Sequence, residues 1–335
     1  MRRFGNLFQH IISHRNLWRA WRDFRRGKRG RPSVCANEMD ADRRILRLRR
    51  ALLAKTYKPG AYRFIMIREP KRRLIAAAPV LDRIIHHAVH RVVAPLIEPR
   101  LIATTFACIK NRGTHRALYA CLQAMRGYQF RLSLDMRHYF LSIDRSILLK
   151  DLARHIKDQD LMGLLRTLAE SGDGIYQQKG VAEYLGLEPG FPPKGCGLPI
   201  GNLTSQWWGN LYLNGFDHFV KRELHIPHYQ RYMDDLTLFS NSRQQLIKTR
   251  NTITEWLWQE RRLTLKHPMA RVYPCTAKWV YLGHEMSRVG VKPTGKMLVR
   301  MQHRITRLLT REDGEALARS MASYRGVLFP MEPGI

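Results

Sequence analysis

Apolar and polar positions alternate through FRLSLD (130–135), the two-residue period of a half-buried strand. HYQRYMDDLTLFSN (228–241) is predicted to be two strands about a tight turn, and a strand pair is expected through YLGHEM (281–286). YRFIMIREPKRRLIAAAP (62–79) reads as two short strands around the basic turn EPKRR. Other stretches repeat at helical spacing. ADRRILRLRRALLAKT (41–56) is predicted as an amphipathic helix ended by Tyr57-Lys58-Pro59-Gly60, and LDRIIHHAVHRVVAPLIE (81–98) as a second. Residues 145–170 are predicted to be helical, and 201–224, 243–260 and 296–311 each to be one helix, followed by a short tail. Residues 171–197 are rich in Gly and Pro and read as a long loop or small insertion. Trp18, Trp21 and Phe24 recur at three-residue spacing, a candidate core stripe, until GKRGRP breaks the pattern. The mixture predicts an α+β fold.

Charge changes this picture most. The 335 residues carry 58 Lys and Arg against 27 Asp and Glu, a net +31, while the hydrophobic fraction of 44% is that of an ordinary globular chain. Such an excess calls for a polyanionic partner, with nucleic acid ahead of an anionic membrane surface. No run of 18 apolar residues occurs and no stretch resembles a signal peptide, so a cytoplasmic protein with no membrane partner is expected. Residues 1–60 hold 17 Lys and Arg against four acids. Here Arg15, Arg19, Arg22, Lys28 and Arg29 are the expected phosphate contacts. The five scattered cysteines include no C-x-x-C, which argues against a zinc ribbon or a disulfide framework. His86 and His90 lie one turn apart on a predicted helix; a metal pair and a role near phosphate both suit that spacing.

Against that basic background stand two adjacent acids, Asp234 and Asp235, at the expected hairpin tip. Adjacent carboxylates repel, and one would take up a proton unless a cation intervened. Hard oxygen donors suit Mg²⁺, which keeps waters and shares substrate phosphates. Asp135 ends the strand FRLSL; placing that strand beside the hairpin would bring three carboxylates together, the arrangement of two-metal phosphoryl transfer. Asp235 is the weaker candidate of the pair, because neighbours on a strand point apart.

At YMDD (232–235), DMRHYFLSID (135–144) and GLPIGNLTSQ (197–206) the chain resembles a reverse transcriptase. The IGNLTSQ version is similar to the enzymes of diversity-generating retroelements. EPKRRLI (69–75), DRIIHHAVHRVVAPLIE (82–98), FACIKNRGTHRAL (106–118), YLGH (281–284) and SYRGVL (323–328) extend the resemblance over nearly the whole chain. It implies a right-hand polymerase: a basic N-terminal extension (1–60), fingers (61–130) interleaved with a palm built on an antiparallel sheet (131–284, with an insertion at 171–196), and a short helical thumb (285–335). It implies Asp135, Asp234 and Asp235 as catalytic, metal-binding acids holding two Mg²⁺ ions, with Mn²⁺ as a substitute. Phe140 matches the steric gate against a 2′-hydroxyl, and Lys71 and Arg73 match residues that hold the triphosphate. Gly201 and Gln206 would lie by the incoming nucleotide, Gln206 standing where most relatives have proline. Tyr281, Leu282 and Gly283 match the primer grip.

The implied partners are dNTPs, a structured non-coding RNA template, a DNA or RNA primer, and an accessory protein or further copies of the chain, since a thumb of about fifty residues grips a duplex weakly. Two other readings stand beside this one. One is a phage-defence reverse transcriptase making repetitive or untemplated DNA. The other is an RNA-binding scaffold without activity, against which the intact acids argue.

Overall fold

The alternating stretch 130–135 does become a strand, at the centre of the largest sheet in the computed structural model, which describes residues 3–68, 72–311 and 313–328. The strands are β1 (Arg63–Ile67), β2 (Arg73–Ala77), β3 (Phe130–Asp135), β4 (His228–Tyr232), β5 (Asp235–Ser240), β6 (Val272–Pro274), β7 (Trp279–Tyr281), β8 (His284–Met286) and β9 (Val291–Pro293). The first seven helices are α1 (Leu7–Ile11), α2 (His14–Arg25), α3 (Pro32–Glu38), α4 (Ala41–Leu53), α5 (Val80–Ile97), α6 (Thr114–Gly127) and α7 (Tyr139–Ser142). After them come α8 (Arg145–Ala153), α9 (Gln159–Glu170), α10 (Lys179–Leu185), α11 (Leu203–Tyr212), α12 (Asn214–Arg222), α13 (Arg243–Arg261), α14 (Gly295–Thr310) and α15 (Gly314–Leu328). Among the described residues the strands form three antiparallel sheets: β1–β2, β4-β5-β3-β6 and β7-β8-β9. No described helix is long and apolar enough to cross a membrane. The chain divides into two units, one of residues 1–102, 136–217 and 256–264, the other of residues 103–135, 218–255 and 265–335.

The first unit is built on α5, which buries Ile84, Ile85, Ala88, Val89, Val93 and Ile97 against α2 and α11. On α2 the buried positions are Leu17, Ala20, Trp21 and Phe24, a three-and-four spacing that makes one apolar face. Trp18 lies off that face, half-buried and stacked on His14 with ring centroids 6.4 Å apart, so the core stripe runs through Leu17 instead. His86 is a core residue: it is buried, its Nδ1 lies 2.8 Å from the Thr204 hydroxyl, and burial lowers its pKa to about 3. The His90 ring meets the edge of Trp207, so the two histidines serve packing and are no metal pair.

Three predicted stretches are divided or filled more finely than expected. The helical stretch 145–170 forms two helices, because Asp158 accepts the Leu161 amide at 3.0 Å and starts α9 afresh. The other Asp158 oxygen accepts the amides of Leu7 and Phe8 at 2.7 and 2.8 Å, capping α1 as well. The helix expected at 201–224 divides at Leu213, ahead of the weak helix formers Asn214 and Gly215. Residues 171–197 are no open loop: they contain α10, closed by Gly186 at φ 63°.

In the second unit α6 packs on the large sheet. Leu118, Cys121, Leu122 and Met125 of α6 share a core with Phe239, Cys275, Tyr281 and Met286. The small sheet β7–β9 thereby joins the same hydrophobic centre. The expected tail after 311 forms α15, which packs on α14 and β9. Ser320 of α15 accepts from Arg304 Nε at 3.1 Å, and His284 Nε2 donates to the Val327 carbonyl at 3.0 Å.

Candidate active site

Register decides which carboxylates meet. β3 and β5 pair antiparallel with Leu134 opposite Leu236 and Asp135 opposite Asp235. Since side chains alternate, Arg131, Ser133 and Asp135 share a face with Phe239, Thr237 and Asp235. It is therefore Asp235, the weaker candidate from sequence, that the ladder sets against Asp135. Asp234 follows Met233 in the two-residue turn between β4 and β5, whose closing pair is Tyr232 and Asp235. Met233 has φ 58°, the left-handed region that a tight hairpin demands of its first turn residue. Arg231, wholly buried, donates from Nη1 to the Met233 carbonyl at 3.0 Å and so fixes the turn from beneath.

Asp135 and Asp235 open onto a cavity of about 220 Å³ that Ser133, Thr237, His267 and the stretch 279–282 also line. Lys266 Nζ stands 3.8 Å from Asp135 Oδ2, and its backbone amide donates to the Asp135 carbonyl at 2.8 Å. The Ser133 hydroxyl is buried with no partner among the described atoms. Tyr281, Leu282 and Gly283 thus lie at or beside the cavity wall. Leu282 and Gly283 take φ 48° and 82°, positive at both turn positions between β7 and β8, as a type I′ hairpin requires. Tyr281 is anchored below: its hydroxyl accepts from Gln230 Nε2 at 3.1 Å, and its ring stacks on Trp279 at 5.1 Å. Arg131 lies between aromatic planes, 4.4 Å from the Trp279 centroid and 5.1 Å from that of Tyr273.

This donor set fits a divalent cation that is shared with substrate. Two carboxylates face each other beside an open cavity, and Mg²⁺ takes one or two carboxylates and completes its shell with water and phosphate oxygens. Among the described residues no three His, Cys, Asp or Glu side chains form a ready metal cage, so substrate oxygens would have to complete the shell.

The first unit carries the other candidate residues. Loop 197–201 is stitched to its neighbours: the Leu198 amide donates to the Phe140 carbonyl at 2.8 Å, and Ala76 N–H donates to the Ile200 carbonyl at 2.7 Å. Gly201 is exposed with φ 131°, and a Cβ there would stand 2.7 Å from the Ala76 carbonyl oxygen, so only glycine fits. Phe140 is half-buried against a cluster that contains Leu74, Ala76 and Leu141. Arg73 is exposed at the start of β2, and Gln206 is exposed on α11. Lys71 lies outside the described residues. On α2, Arg15, Arg19 and Arg22 are exposed, as is Arg29 beyond it. Lys28 turns inward instead, donating to the Phe24 carbonyl at 3.0 Å with its ammonium 4.8 Å from the Phe24 ring, and burial lowers its pKa.

The reverse transcriptase (RNA-dependent DNA polymerase) family model matches residues 58–286, well over half of the chain. The chain belongs to that family. A reverse transcriptase of this kind has the right-hand polymerase fold, and members of the family use divalent metal ions and act on a nucleic-acid template and primer with dNTPs. Nuclear intron maturase 4, mitochondrial, of Arabidopsis thaliana is 28% identical over 159 residues, 46% of this chain and 18% of that protein. The aligned part is thus less than a fifth of the maturase's length. Apo telomerase from Candida tropicalis, truncated from the C-terminal domain, superposes with TM-score 0.48 at 10% identity, covering 70% of this chain and 55% of the other. Telomerase from Candida albicans in complex with a TWJ fragment of telomeric RNA gives 0.46 at 10% identity, over 71% and 46%. The reverse transcriptase holds several site residues that pattern reading passed over: Lys266, Ser133, Gln230 and Arg231. Arg231 had a legible signal, a charge inside a predicted strand, and so did Ser133, two residues before Asp135 on one face of an alternating strand.

Proposed function

We propose that this reverse transcriptase makes cDNA from a structured non-coding RNA, in the manner of the diversity-generating retroelements, with Asp135, Asp234 and Asp235 as its metal-binding acids. The opposition of Asp135 and Asp235 across β3 and β5 carries the reading, because like charges facing each other in a ladder are costly and the Lys266 ammonium, 3.8 Å from Asp135 Oδ2, offsets at most one of the two. Bound Mg²⁺ would supply charge neutralisation at the reacting phosphate and a more acidic 3′-hydroxyl. In the reaction the primer 3′-hydroxyl loses its proton to solvent and its oxygen bonds to the α-phosphorus while the bond to the bridging oxygen breaks, and pyrophosphate leaves with that electron pair. Asp135, Asp234 and Asp235 would hold the cations, and the Tyr281–Gly283 hairpin orients the primer end. Phe140 excludes the 2′-hydroxyl, while Lys71 and Arg73 bind phosphates with charge-assisted hydrogen bonds. Arg15, Arg19, Arg22 and Arg29 bind the RNA backbone. An accessory protein or a further copy of the chain supports the duplex.

The retroelement type is supported by IGNLTSQ, whose Gly201 is confined by the Ala76 carbonyl and whose Gln206 is exposed on α11. Primer extension on an RNA template in Mg²⁺, with Asp135→Asn and Asp235→Asn alongside, tests the chemistry: extension by either variant at the parental rate would remove the site assignment. Sequencing the nucleic acid that co-purifies, and the cDNA made from it, tests the template. Copies of one structured RNA with errors concentrated at template adenines are expected; untemplated repeats would instead point to the defence type.

A further inference from the structure

The segment 171–196 has no part in the function proposed above, yet three of its side chains, Ser171, Tyr176 and Tyr184, make polar contacts to the parts of the first unit that carry the nucleotide-binding candidates. Tyr176 is 2% exposed. Its hydroxyl accepts the Ile200 N–H at 3.2 Å and donates to the Leu198 carbonyl at 2.9 Å, closing the backbone just before Gly201 from one side. The Ile200 carbonyl is meanwhile held by the Ala76 amide of β2. One residue, Ile200, is thus gripped by the inserted segment at its N–H and by β2 at its carbonyl. Tyr184, on α10, donates to the Ile67 carbonyl at the end of β1 at 2.7 Å. Ser171 shares a 2.8 Å hydrogen bond with Tyr62, whose hydroxyl accepts from Asn202 Nδ2 at 2.7 Å.

Loop 197–201 includes Gly197 at φ 97° and Gly201 at φ 131°, residues with wide conformational freedom when unrestrained. The buried side chains that share a cluster with Tyr176 are Leu74, Ala76, Leu141, Ile175 and Val181, all apolar; Tyr62, which packs against that cluster, has its hydroxyl engaged with Ser171 and Asn202. Burial pushes the Tyr176 pKa up to about 12, so the group stays a neutral hydroxyl that can both donate and accept.

We propose that segment 171–196 is a positioning element for nucleotide binding, in which Tyr176 fixes the 197–201 loop and Tyr184 fixes the end of β1. The proposal rests on the reading of Gly201 and Arg73 as nucleotide contacts. Neither tyrosine is assigned a contact with substrate; both act through backbone that they hold in place.

Tyr176→Phe and Tyr184→Phe remove the hydroxyls and keep the rings. Steady-state extension of an oligo(dT) primer on poly(rA) with dTTP gives the readout, with Arg73→Ala as the control for the nucleotide reading. For Tyr176→Phe the KM for dTTP should rise roughly tenfold, the scale of one or two lost hydrogen bonds. For Tyr184→Phe, at a half-buried site where folding is not at stake, a rise of roughly threefold is expected. In both, kcat at saturating dTTP and the Kd for primer–template should stay within about twofold of the parent, since uniform binding alone is lost. A parental KM in both tyrosine variants, with KM raised in Arg73→Ala, overturns the positioning role and leaves the nucleotide reading standing. A parental KM in all three overturns both. A fall in kcat together with weaker primer binding, at unchanged KM, shows general damage to the fold and also overturns the proposal.

Discussion

Asp135 and Asp235 face each other as a register pair of the β3–β5 ladder. Like charges so placed destabilise a sheet by about 0.2–1 kcal/mol. Removing one charge should therefore stabilise the metal-free protein while it abolishes chemistry. Asp235→Asn is expected to raise Tm by about 1–3 °C without added metal. Primer extension should fall by roughly a thousandfold or more, as when a group stabilising the reacting charges is lost. Added Mg²⁺ should raise the parent's Tm and leave that of Asp235→Asn almost unmoved, which calorimetry with and without the ion will show.

The half-buried Phe140 ring is the proposed gate against a 2′-hydroxyl. Phe140→Ala should raise the ratio of ribonucleotide to deoxynucleotide kcat/KM by roughly tenfold or more, the scale on which a pocket discriminates by one group. The same change removes ring packing near Leu74 and Ala76 and should cost about 2–4 kcal/mol of stability. Competition between the two nucleotide types in one reaction separates these effects; equal ratios in parent and variant would end the gate assignment.

Gly201 tolerates no side chain. With φ 131° and the Ala76 carbonyl 2.7 Å from the place of a Cβ, Gly201→Ala is both strained and blocked. A loss of about 1–3 kcal/mol in denaturant unfolding is expected. Gly197→Ala, at φ 97° but with its nearest neighbour 3.4 Å away, should meet the same backbone strain without the clash and lose less.

Acid should weaken the first unit. Burial, aided by neighbouring cations, lowers the pKa of His86 to about 3 and those of His87 and His155 to about 4, against 6.5 for the free side chain. The unfolded chain thus binds more protons than the folded one below pH 6.5, so stability is complete above that value and is lost as pH falls toward 3–4. For His86, which is wholly enclosed, the slope should approach about 1.4 kcal/mol per pH unit. Equilibrium unfolding across the range, with His86→Gln as the variant lacking that titration, should show a shallower decline.

RNA binding should weaken steeply with salt, since each neutralised phosphate releases counterions. Replacing Arg15, Arg19 and Arg22 together by Ala should flatten the slope of log K against log salt by about 2, at roughly 0.7–0.9 per contact. A slope identical to the parent's would place the RNA elsewhere on the protein.

Much of the framework could be read from periodicity alone. The α4 and α5 helices, the β4–β5 hairpin and the strand ending at Asp135 all appear where apolar spacing and turn residues place them. The misreadings have one physical source: local rules do not contain distant partners. Asp158 starts a new helix because its carboxylate finds amides from two elements, one of them about 150 residues away. Gly- and Pro-rich composition gave no sign that Tyr176 would clamp a loop twenty residues on. The facing of Asp235 toward Asp135 depends on a cross-strand register that no single strand encodes. Lys266 reaches Asp135 only through tertiary packing, so no motif announced it, whereas Ser133 lines the cavity because it alternates onto the face of Asp135.

Arg131 ties together what the sequence keeps apart. It springs from the same strand as Asp135, is shielded from water between Tyr273 and Trp279, and through Trp279 supports Tyr281. Peeling the β7–β8 hairpin away would strip this cation of its aromatic faces and bare the core beneath. Local fraying there should thus be rare, and hydrogen exchange ought to find the hairpin amides opening only when the whole second unit comes undone.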